Sequence, residues 1–168
     1  MGPAVKFFYL LGIALSLSCA SCSSEVSTVS AATNPSAALV AELPANPLQW
    51  RVITSEINNQ DSTMSTLYGN DLAVEYARKH SQHDYPVGSE LSLVTWTQRD
   101  DDRWFGARIP ALVKSVEFVI VRGATDGPRS YSYLVYEGAS LTKVSAHEDA
   151  VPTDRAAYLL SQRAAVLP

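Results

Sequence analysis

The run YPVGSELSLVTWTQRDDDRWFGARIP, Tyr85 to Pro110, holds a turn, a strand and an acidic break in immediate succession. Pro86 and Gly88 suit positions i+1 and i+3 of a type I turn, because proline presets φ and glycine tolerates the exit geometry. From Ser89 to Gln98 the residues are β-branched, aromatic or aliphatic, and both alternating sets are apolar: Leu91 and Leu93 on one face, Val94 and Trp96 on the other. That pattern predicts a central strand covered on both sides. Asp100, Asp101 and Asp102 end it, since three adjacent carboxylates repel one another and require water. Trp104-Phe105-Gly106-Ala107-Arg108-Ile109-Pro110 then returns to apolar surface.

Working outward, Leu48, Trp50, Val52 and Thr54 alternate with Gln49, Arg51 and Ile53, which predicts a first strand with one buried face. Asn58 to Asp61 is a polar loop, and Thr63 to Tyr68 a short strand stopped by Gly69. Asn70 is a good helix N-cap, with Asp71 in the first turn and Arg78, Lys79 and His80 in the last, each complementing the helix dipole. Leu72, Ala73, Tyr76, Ala77 and His80 share one face at helical spacing. On the C-terminal side, Val116 to Arg122 is an apolar strand broken by the single carboxylate Glu117. Asp126-Gly127-Pro128 is a turn signal, and Tyr131 to Glu137 reads as the returning strand. Leu141 to Val144 adds a short edge strand, and Thr153 caps a last helix carrying Ala156, Leu159 and Leu160. The order predicts an α+β fold: a single domain with a mostly antiparallel β-sheet and two packed helices.

The 168 residues suit one domain, and 46% hydrophobic content is enough for a core. A net charge of -4, with Lys and Arg scattered, gives no basic footprint, so no nucleic acid is expected as a partner. Lys6, the eleven apolar residues Phe7 to Leu17 and the small residues Ser18 to Ser24 read as an export signal, too short to span a bilayer. Both cysteines, Cys19 and Cys22, lie in this region. A cysteine after such a run is similar to the lipid-attachment residue of bacterial lipoproteins, and Cys22, preceded by Ala20 and Ser21, fits best; the alternative is an ordinary signal peptide with incidental cysteines. The reading divides the chain into a signal peptide of lipoprotein type (1–22), a Ser/Ala/Thr/Pro-rich flexible linker (23–47) and a folded domain (48–168), exported to the periplasm or outer membrane and held to the membrane through the lipid alone.

Few residues carry chemistry. His80 and His83 with Asp84 lack a third placed ligand, and His147 stands alone in a polar stretch, so no metal site is expected. Asp100 to Asp102 lack the alternation of a calcium loop. No G-x-S-x-G or glycine-rich phosphate loop occurs. Trp96, Trp104 and Phe105 could wall a pocket for a small apolar ligand, oriented by Arg108 and Glu117. The plainer reading makes the aromatics core and pairs Arg108 with Glu117 or with a loop aspartate.

The succession TMSTLYGNDLAVEYARK, YPVGSELSLVTW and WFGARIP resembles the cytochrome P-460 family of exported bacterial haem proteins, from about Trp50 to Val121. The resemblance implies a mainly antiparallel β domain with packed helices, and a pocket that in family members holds a c-type haem used in hydroxylamine or nitric oxide chemistry. This chain departs from the pattern where that chemistry sits. Thioether attachment needs C-x-x-C-H, yet the only C-x-x-C is Cys19-Ala20-Ser21-Cys22, followed by Ser23. The lysine that the resemblance places on the strand after the turn is missing from Ser89 to Gln98. No catalytic residue carries over. Two readings follow: a relative without covalent haem acting as a binding or structural module at the cell envelope, or an oxidoreductase holding haem non-covalently through His80, His83 or His147.

Overall fold

Alternation, turn chemistry and two amphipathic segments generate one six-stranded antiparallel sheet in simple meander order. The computed structural model describes residues 34–80, 84–123 and 127–165. The strands are β1 (Arg51–Asn58), β2 (Thr63–Gly69), β3 (Glu90–Asp100), β4 (Arg108–Gly123), β5 (Arg129–Glu137) and β6 (Thr142–Asp149). Helix α1 (Asp71–Lys79) connects β2 to β3, and α2 (Asp154–Ser161) follows β6. The α+β class expected from the sequence is the observed one.

β3 behaves as its pattern demands. Leu91 and Leu93 join Ile53, Leu67, Val119 and Val121 beneath the two helices, whereas Val94 and Trp96 join Val113, Val116 and Phe118 on the opposite face. Period-2 alternation thus supplies two cores from one strand. The helices cover the first. Asn70 caps α1 by accepting from the Ala73 amide at 3.0 Å while its Nδ2 donates to the Gly88 carbonyl at 2.8 Å, which ties the helix start to the turn before β3. That turn differs from the expected type I: Ser89 N donates to Pro86 O, so Pro86 is residue i and Gly88, at φ +90°, is i+2. A positive φ at i+2 is the requirement of a type II turn, and it explains the glycine.

The second core is covered by a segment the sequence reading assigns to the linker. Ala37, Leu39, Leu43 and Trp50 pack on Phe118 and its neighbours, the Trp96 indole donates to the Ala37 carbonyl at 3.0 Å, and Asn34 Nδ2 donates to the Pro110 carbonyl at 2.6 Å. Residues 34–47 therefore form a strap on the sheet, because Leu39 and Leu43 have an apolar face to bury against. Residues 23–33, with the expected export segment and Cys22, lie outside the described residues, as does His83.

Three further expectations shift. β1 begins at Arg51 and buries Ile53, not Val52: period-2 alternation sets Trp50 and Ile53, three residues apart, on opposite faces, and Ile53 is the one under the helices, with a register irregularity between Val52 and Thr54 beside it. α1 buries Ala73, Val74 and Ala77 while Leu72 is exposed, so its contact face is rotated from the expected one. β6 runs to Asp149 although it is mostly polar and exposed, with only Ser145 half-buried; its pairing with β5 is a backbone ladder that side-chain alternation does not report. Among the described residues no helix is long and apolar enough to cross a membrane.

Candidate functional site

Glu117 is the lone carboxylate of an apolar strand, and a buried charge must be paired. It sits in the β4 register opposite Leu93 of β3 and Val135 of β5, on the helix-covered face, with 8% of its side chain exposed. Its partner is Arg155, in the first turn of α2: Nε donates to Oε2 at 2.8 Å and Nη2 to Oε1 at 2.7 Å, a bidentate fork. The Tyr133 hydroxyl, two residues along β5 from Val135, donates a third bond to Oε2 at 2.5 Å. The pairing holds the Arg155 guanidinium more firmly charged than usual, chiefly through its hydrogen bond to Glu117, while burial first and the Glu117 bond second keep the Tyr133 phenol protonated. Thr153 makes this possible by accepting from the Ala156 amide and fixing where α2 begins.

Beside this cluster the sheet face is open. A cavity of about 320 Å³ lies among Glu56 of β1, Asp61 of the β1–β2 turn, Ser65 of β2, Thr95 of β3 and Lys114 of β4, and is closed on the helix side by Arg155 and Tyr158. A second of about 220 Å³ shares Glu56, Ser65, Leu93 and Tyr158 with it and continues along α2. The floor is hydroxyl-rich, Ser65 and Thr95 bonding each other at 3.0 Å. Arg155 lies over the Tyr158 ring at 4.9 Å, and the Tyr158 hydroxyl donates to Glu56 at 3.3 Å. Burial, then the nearby Glu56 carboxylate, raises the Tyr158 pKa.

The five residues expected to line one pocket are not brought together. Trp96 is buried on the strap side of the sheet, Glu117 on the helix side. Trp104 and Phe105 stand in solvent at the β3–β4 hairpin tip, and Arg108 pairs with Asp100 at 3.0 Å, the plainer alternative for that residue. One-residue offsets along a strand reverse faces, so residues close in sequence end on opposite sides. Sequence reasoning missed Arg155. Glu117 signalled a need for a cation, but which helix would land on its face is a tertiary fact. His80 is exposed at the end of α1, stacked on Tyr76, and His147 is exposed on β6; neither lines either cavity, and the described residues hold no cluster of metal-ligating side chains.

A meander sheet with helices on one face and a cleft between helix and sheet defines an antiparallel α+β domain. The cytochrome P460 family model matches residues 44–151, more than half of the chain, and the protein belongs to that family. No curated protein matches it. The match runs from within the strap to Val151, two residues before Thr153, so α2 with Arg155 and Tyr158 lies beyond it.

Membership suggests haem, and the cleft can be tested against one. A haem needs an axial donor, commonly His, Cys or Met, and apolar walls for the macrocycle. Among the described residues the larger cavity has none of these three donors, and Leu93 is its one aliphatic wall. Tyr158 is the remaining donor type, and its hydroxyl is directed at Glu56, to which it donates at 3.3 Å. These residues do not fit the group.

Proposed function

We propose that this protein is an exported member of the cytochrome P460 family without covalent haem, acting as a binding module at the cell envelope. Its ligand is a small polar molecule held in the cleft between α2 and the sheet. The observation that carries this reading is the cleft lining: carboxylates of Glu56 and Asp61 on the β1 side, the ammonium of Lys114 on the β4 side, and hydroxyls between them. Such walls recognise a molecule with both donors and acceptors and reject an extended apolar ring, whose burial would strand charged groups without water. The Glu117–Arg155 fork supports the same reading, because it fixes α2 as a rigid roof. Export rests on Lys6 and the apolar run Phe7 to Leu17, and membrane attachment on Cys22.

The test is titration of the purified protein with haemin, followed by absorbance. The expected result is a spectrum equal to that of haemin in buffer. A saturable Soret shift of one haemin per chain, lost in a His80 or His147 variant, would instead favour the oxidoreductase with non-covalent haem.

A further inference from the structure

The β3–β4 hairpin is the longest reach of the sheet, and its tip is the reverse of a normal loop. Trp104 is 71% exposed and Phe105 fully exposed, two large aromatic residues adjacent in the chain and mostly uncovered by the described residues. The tip is nevertheless well built. Ala107 N donates to Trp104 O, Gly106 takes φ +78° at the third position, Asp101 N donates to Ala107 O, and the Asp101 carboxylate accepts from the Arg103 amide at 2.9 Å. A type II turn thus fixes Phe105 at the outermost corner, with open space around Gly106.

A second observation says what the tip meets. The described chain starts at Asn34, whose side chain is bonded to Pro110 on the stem of this same hairpin. The first described residue is thus held at the stem. Twelve residues separate Asn34 from Cys22, a length of chain that spans at most about 40 Å, while Phe105 is five residues from Pro110, at most about 17 Å away along the chain. The tip lies well within the tether's reach.

We propose that the Trp104–Phe105 tip is a membrane-docking element, inserting into the interfacial layer of the bilayer to which the N-terminal segment is attached. Aromatic rings favour that layer, where the ring is desolvated and the indole N–H stays hydrated. Residues 99–109 carry three arginines and three aspartates, so the hairpin has no net charge and docking depends on the rings rather than on anionic lipid. Two contacts, the tether and the tip, would orient the domain on the surface, whereas a tether alone leaves it free to rotate. This inference rests on the anchoring part of the function proposed above.

The experiment uses the full chain, produced in an exporting bacterial host and reconstituted into vesicles of phosphatidylethanolamine and phosphatidylglycerol. Flotation reads the anchor; quenching of tryptophan emission by brominated lipid reads the tip. Trp50 and Trp96 lie within the fold, so the component lost in Trp104→Phe is the signal of Trp104. The expected result is flotation with a blue-shifted Trp104 component quenched by at least half, insensitive to salt, and reduced several-fold in Phe105→Ser. Flotation with an unquenched Trp104 overturns the docking proposal and leaves the anchor standing. A chain that does not float overturns both. Vesicle-free dimers that dissociate in Trp104→Ser would identify a second copy as the occupant and also overturn it.

Discussion

Glu117 shows how one side chain imposes order on its surroundings. Its carboxylate, buried in an otherwise apolar strand, is tolerable only because Arg155 and Tyr133 supply three hydrogen bonds. Replacing Arg155 with Ala leaves that charge with the tyrosine alone. The expected cost is about 2–3 kcal/mol, below the usual figure for a broken buried pair because Arg155 is itself half exposed. The double variant Arg155→Ala with Glu117→Gln should recover at least about 1 kcal/mol of it, since no charge is then stranded. Urea melts of the two variants measure both, and a cost under about 0.5 kcal/mol for Arg155→Ala would mean the fork is incidental. At this scale the sequence was half legible. That Glu117 needed a partner could be read from its neighbours; that the partner was Arg155, 38 residues on, could not. Arg108, the nearer candidate, is occupied by Asp100 across its own hairpin.

Among the elements, those with a strong internal pattern were readable. β3 announced both of its faces, and Asn70 and Thr153 announced the helix starts, because capping and alternation are local properties. β6 was readable only in its first residues, as the short edge strand Leu141 to Val144, and the strap not at all, since one is held by a backbone ladder and the other by the face it covers. The strap yields a direct comparison. A chain begun at Asn34 retains the Trp96–Ala37 and Asn34–Pro110 hydrogen bonds and the packing of Leu39 and Leu43; a chain begun at Pro44 loses all of them. The shorter chain should be less stable by about 2–3 kcal/mol, from the lost apolar cover and the unpaired indole, with red-shifted Trp96 emission. Equal denaturation midpoints would restore the linker reading for residues 34–43.

On the scale of the whole molecule, the fold and the family agree while the haem chemistry does not follow. The family match over residues 44–151 takes in the whole sheet and α1 and stops short of α2. The resemblance was legible because its motifs, Tyr68-Gly69-Asn70-Asp71 and Tyr85-Pro86-Val87-Gly88, are the capped helix start and the type II turn that lock α1 to β3. The cleft was not legible, because its walls come from four strands and a helix that share no local pattern. Its chemistry is nonetheless a consequence of residues that can be counted: no cysteine follows Cys22 in the sequence, and among the described residues no histidine, cysteine or methionine faces the cavity. The measurement that bears most directly on a haem-free domain is the intact mass of the denatured chain, purified from a host with a working c-type maturation system. Thioether-bound haem stays with the polypeptide through acid and organic solvent, whereas any other haem is extracted. The account predicts the mass of the processed chain, with its lipid where Cys22 is modified and without haem; a chain heavier by one haem would contradict it.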